Sequence, residues 1–161
     1  MGMMLIKGDE TPQDIICLAY GLEEGLRQFY VSASQLAIET EVSAVLARLA
    51  EIEVRHKQKL FDLYKIVDST DMTIDGFEKK VSAKLMEGGF DSGTLLKEMG
   101  STFKTAVDVL NFAMMLEAQG MDLYLRYAEK SENPKVQEIL FDMAEDEKAH
   151  LNSLGNLMEK I

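Results

Sequence analysis

The chain has 161 residues, enough for one domain with a real core and too few to expect two. Seventeen basic residues against 28 acidic ones give a net charge of −11, which argues against a nucleic-acid binder, since that would need a basic face. The single cysteine, Cys17, excludes an internal disulfide framework and any multi-cysteine zinc or iron–sulfur site. One thiol fits a reducing compartment. The longest apolar run, IICLAYGL, is far shorter than the roughly 20 residues of a membrane span, so no membrane partner is expected. The opening MGMMLIKGDE lacks the apolar stretch of a secretory signal. The cytoplasm is the expected location.

Residues 1–11 read as a tail and residues 12–161 as one helical domain. The first helix is announced by TPQD, with Thr11 as N-cap, Pro12 in the first turn and Asp14 closing a capping box. From Ile16 its apolar positions, Ala19, Leu22, Leu26, Tyr30 and Ala33, recur every three or four residues. A second such run goes from Val42 through Leu46, Leu49 and Leu60 to Tyr64. Between about 68 and 102 the helical signal breaks, and five of the chain's 11 glycines fall there. This stretch is expected to be a long crossover that packs on the domain, since Phe77, Leu85 and Phe90 need apolar neighbours. Short helical pieces are expected near Phe77–Met86 and Leu95–Met99. The third run goes from Val107 through Leu110, Met114 and Met121 to Tyr124. The fourth opens at Asn133 and Pro134 and continues through Val136, Leu140, Met143, Leu154 and Leu157.

The two halves are copies. Leu22 aligns with Leu116, an offset of 116 − 22 = 94, and at that offset residues 22–63 share 11 identities with 116–157 over 42 positions without a gap. Tyr30 falls on Tyr124, AEIEVRH on AEDEKAH, and the only two histidines on each other. A repeated helical hairpin joined by one long connection predicts an all-α four-helix bundle.

Each helix carries one glutamate inside its apolar stripe. Glu23 lies one turn after Ala19 and one turn before Leu26; Glu24 beside it shares the solvent side with Arg27 and Gln28. Glu53 and His56 stand between Leu49 and Leu60, whereas Glu51 faces Arg55 in a surface ion-pair spacing. Glu117 interrupts Met114, Met121 and Tyr124, and Glu147 and His150 interrupt Met143 and Leu154. A lone Glu-x-x-His is common on a solvated helix; two copies at equivalent places, with two stripe glutamates also equivalent, are not. Four ionised carboxylates in one core need compensation, and no basic residue occupies a stripe position. Two divalent cations carry the required charge, and neutral imidazoles complete their coordination. Residues at i and i+3 share a face, so one helix can offer a metal both oxygen and nitrogen. The expected ligands are Glu23, Glu53, His56, Glu117, Glu147 and His150. Tyr30 and Tyr124, two turns beyond Glu23 and Glu117, are either hydrogen-bond donors to the ligands or core aromatics. Asp146 is a weaker candidate for orienting a histidine, because its repeat partner is Ile52. The 11 methionines read as core filler, and Cys17 as a small core or surface residue.

At LEEGLRQFY, LEAQGMDLY, EVRH and EKAH the chain resembles the rubrerythrin branch of the ferritin-like superfamily, over roughly residues 14–66 and 105–158. The resemblance implies a ferritin-like bundle and maps the six residues onto di-iron ligands. Two features of that family are missing. There are no four cysteines for a rubredoxin-like domain, and Met114 stands where the family has a further glutamate. The expected activity is that of a non-haem di-iron oxidoreductase reducing peroxide or dioxygen with electrons from an external donor protein. The alternatives are an iron or divalent-metal binding protein without turnover, and a structural bundle. Manganese and zinc also suit the donor set. A homodimer is expected, with Phe90 as a candidate contact.

Overall fold

The computed structural model describes residues 10–37, 39–87 and 103–161. Among them are five helices and no strand: α1 Pro12–Leu36, α2 Thr40–Asp68, α3 Ile74–Glu87, α4 Ala106–Lys130 and α5 Pro134–Met158. Residues 1–9 of the expected tail, Phe90 and the helical piece expected at Leu95–Met99 lie outside the described residues.

Local chemistry starts the helices. Thr11 accepts a hydrogen bond from the Asp14 amide and Asp14 bonds back to Thr11, the reciprocal cap read from TPQD. The same box opens α4 at Thr105 and Asp108, where sequence reading saw only the apolar run from Val107. Asn133 caps α5 by accepting from the Lys135 and Val136 amides, ahead of Pro134. At the end of α2, Ser69 takes a left-handed φ of 49° and turns the chain out of the helix.

Helix α1 packs chiefly on α2, and α4 on α5; the two pairs meet through α2–α5 and α1–α4. Two apolar clusters fill the space between the four long helices. One contains Tyr20, Leu60, Tyr64, Tyr127, Leu140 and Met143; the other contains Leu26, Phe29, Leu46, Leu110, Leu154 and Leu157. Every long helix contributes to both clusters. On α1 the contributions switch between Tyr20 and Leu26, on α2 between Ala50 and Leu60, on α4 between Ala113 and Leu123, and on α5 between Ala144 and Leu154. The six expected ligands all lie in those four intervals. A polar layer is therefore held between two apolar plugs.

Helix α3, within the expected crossover, does pack on the domain. Phe77 is fully buried, with ring centroids 4.9 Å from Tyr20, 5.3 Å from Phe61 and 4.7 Å from Tyr64. Tyr20 donates to Glu78 at 2.6 Å and Lys80 to the Tyr64 hydroxyl at 2.5 Å. Gly21 permits this docking, because a β-carbon there would sit 2.6 Å from Leu85 Cδ1. Among the described residues no helix is long and apolar enough to cross a membrane.

Candidate metal centre

Glu23, Glu53, His56, Glu117, Glu147 and His150 are the buried polar residues of the described chain, none more than 4% exposed. They form two overlapping groups. Glu23, Glu53, His56 and Glu147 make one; Glu53, Glu117, Glu147 and His150 make the other. Within each group the potential ligand atoms lie within 4.8 Å of one another. Glu53 and Glu147, from the two histidine-bearing helices, belong to both.

Both imidazoles turn Nδ1 towards the carboxylates. His56 Nδ1 lies 3.0 Å from Glu147, 3.1 Å from Glu53 and 3.7 Å from Glu23. His150 Nδ1 lies 3.1 Å from Glu117, 3.3 Å from Glu147 and 3.5 Å from Glu53. The rings stack with centroids 5.3 Å apart. Near contact is not full satisfaction: Glu53 Oε1 and both Glu147 oxygens are buried without a properly directed hydrogen bond. An orphaned buried carboxylate oxygen is costly, so these atoms call for a further partner. That they belong to the two residues shared by both groups fits a pair of cations sharing ligands.

The tyrosines are donors, and they act across the domain. Tyr30 on α1 donates to Glu117 on α4, and Tyr124 on α4 donates to Glu23 on α1. Burial first, then the facing carboxylate charge, holds both phenols well above their ordinary pKa, so they remain donors. Outside the cluster, Asp146 Oδ2 lies 3.3 Å from His56 Nε2 and accepts from Lys59 at 2.7 Å. Asp146 thus does orient a histidine. Sequence reading discounted it for lacking a repeat partner and missed Lys59 altogether; the i to i+3 spacing of His56 and Lys59 was the available signal.

Burial and neighbouring charge displace the protons of this cluster. Burial, then the Glu23 charge, pushes Glu53 well above the carboxylate range; burial and the close approach of Glu147 do the same to Glu117. Burial would raise Glu147 too, but the close approach of Glu117 and of the two histidines outweighs it and holds Glu147 low. Burial would lower both imidazoles, yet the surrounding carboxylates win: His56 is strongly raised and His150 is raised to about 9. Without metal, the cluster balances its own charge by holding protons.

Two sequence-based side-chain expectations need adjustment. Among the described residues Glu51 and Arg55, both exposed, form no ion pair. Glu24 does pair with Arg27, at 2.8 Å, but is also reached by Lys57 at 2.7 Å and is only half-exposed. Met114, at the position of the family's additional glutamate, packs against the apolar cluster around Leu110 instead of entering the site.

Residues 108–161 match the family model described as Rubrerythrin. The rubrerythrin match spans nearly all of α4 and the whole of α5, and so covers Glu117, Tyr124, Glu147 and His150. It shows the resemblance over the last third of the chain. Glu23, Glu53 and His56 lie outside the rubrerythrin match and are tied to the site by the internal repeat and by their positions in the cluster. Comparisons with curated proteins and with solved structures return no significant match. The rubrerythrin match and the buried carboxylate–histidine cluster together fit a di-metal site.

Proposed function

We propose that the chain is a rubrerythrin-like di-iron protein on a ferritin-like bundle of two repeated hairpins, reducing peroxide or dioxygen with electrons from an external donor protein. The observation that carries this reading is the sharing of Glu53 and Glu147 between two buried ligand groups, with oxygens left over on those same two residues. Glu53 and Glu147 would bridge the two ions. Glu23 with His56 would complete one coordination shell, and Glu117 with His150 the other. When bound, the two irons supply the redox chemistry, one electron each.

The chain's own residues do the rest. Tyr30 and Tyr124 hold Glu117 and Glu23 by hydrogen bonds that fix which oxygen faces inward. Asp146 holds the outer nitrogen of His56 and so presents Nδ1 to the cluster. The two apolar clusters restrict water to the polar layer between them.

A second reading is metal binding without turnover, favoured by Met114 occupying the place of the family's extra glutamate. Anaerobic loading with ferrous iron, followed by peroxide or air, separates the two. The oxidoreductase reading expects two irons per chain, rapid appearance of ferric absorbance and repeated turnover once a donor is added. Two bound irons with no turnover supports the second reading. Less than one iron per chain defeats both.

A further inference from the structure

The two halves of the centre are alike inside and unlike outside. Asp146 and Lys59 back His56. The repeat-equivalent positions on the His150 side are Ile52 and Ser153, so no carboxylate is supplied there. His150 is 4% exposed, and among the described residues its Nε2 has no hydrogen-bond partner, since Nδ1 makes its polar contacts. A neutral imidazole that ligates through Nδ1 carries its proton on Nε2. That N–H is not sealed in the core with the orphaned Glu53 and Glu147 oxygens; it is left to a partner that enters from outside.

It does not face a closed wall. His150 and His56 form part of the lining of a cleft of about 320 Å³ between α2 and α5, a size at the lower end for small-ligand pockets. Arg48 and Arg55, two helical turns apart on α2 with Ile52 between them, line the same cleft. Neither arginine forms an ion pair among the described residues. The carboxylate already in the cleft, Asp146, is taken up by Lys59 and His56. On a chain of net charge −11, two exposed guanidiniums without an ion-pair partner share this cleft with His150, a local concentration of positive charge that favours an anion.

We propose that this cleft binds a small carboxylate, held by Arg48 and Arg55 and accepting a hydrogen bond from Nε2 of His150. The bound carboxylate does for His150 what Asp146 does for His56. Its role at the centre and the proton on Nε2 rest on the di-metal reading; its contacts with the two arginines do not. Guanidinium and carboxylate match in planar, two-point geometry, which favours a carboxylate over a spherical anion.

With only two histidines in the chain, imidazole ¹⁵N spectra resolve each ring. Acetate and succinate are titrated into both the zinc-loaded and the metal-free protein, and zinc content is measured separately. The His56 signal is identified by its response to Asp146→Asn. The expected result is a saturable shift of the His150 Nε2 signal with at least one of the two acids, the His56 signal staying in place. The double variant Arg48→Gln, Arg55→Gln should keep its helical circular dichroism and weaken that binding at least tenfold. No saturable shift, equal movement of both rings, or unchanged affinity in the double variant overturns the proposal. A zinc content far below two per chain overturns the di-metal reading instead, and the metal-free titration then decides the cleft alone.

Discussion

At the scale of single residues, two kinds of side chain support the centre and should fail differently. Glu53 is fully buried, touches both groups and retains an oxygen without a directed partner. In the metal-free chain it also crowds Glu23. Glu53→Ala should therefore abolish binding of a second metal while destabilising the metal-free fold less than Leu46→Ala does. Leu46 is equally buried but purely apolar, and its truncation should cost about 2–5 kcal/mol. Metal content and urea denaturation of the two variants check this; two metals in Glu53→Ala would refute the assignment. Tyr30 and Tyr124 act one step further out. Tyr30→Phe and Tyr124→Phe should each keep the fold and two metals, with affinity lowered about 10–100-fold in a chelator competition. Equal affinity would return both rings to the role of core aromatics.

At the scale of elements, the sequence was most legible where one helix decides its own inward face. Stripe position alone separates Glu23 from Glu24 and Glu53 from Glu51, since the helical period is known before any packing is. The caps at Thr11 and Asn133 were equally local. What depends on the register between helices was not legible. Nothing in the 3.6-residue period says that Tyr30 reaches Glu117 across the domain and not Glu23 on its own helix. The contact of Asp146 with His56 likewise needs α2 and α5 set side by side. Helix α3 was foreseen as a packed piece because Phe77 had to be covered, but its docking against Gly21 could not be. The repeat partner of Gly21 is Met115, so this helix has a seat on α1 and none on α4. Phe77→Ala should cost about 3–5 kcal/mol, the usual range for emptying a buried aromatic site. Because α3 covers the Tyr20–Tyr64 end and contributes no ligand, that variant should still bind two metals per chain. Loss of metal together with stability would place α3 in the site's support.

At the scale of the whole molecule, the centre links folding, protons and metal. His150 keeps its proton up to about 9 in the folded chain against an ordinary value of 6.5, and His56 is raised further. Glu53 and Glu117 are raised above their ordinary 4.5. For each raised group the folded chain holds more protons than the unfolded one between the ordinary value and the shifted one, so stability falls as pH rises through that interval. Glu147, which is lowered, acts in the opposite sense, and only below 4.5. The metal-free protein should accordingly lose thermal stability steadily from about pH 5 to pH 9. Metals must displace those same protons, so metal binding near pH 7 should release at least the two imidazole protons and tighten as pH rises. Calorimetry of zinc binding in two buffers of different ionisation heat measures the release directly. With the protons replaced, the loaded protein should show the reverse trend and gain stability over the metal-free form as pH increases. Binding without proton release, or a metal-free melting temperature that climbs from pH 5 to pH 9, would mean that the ions and the protons do not compete for the same six side chains.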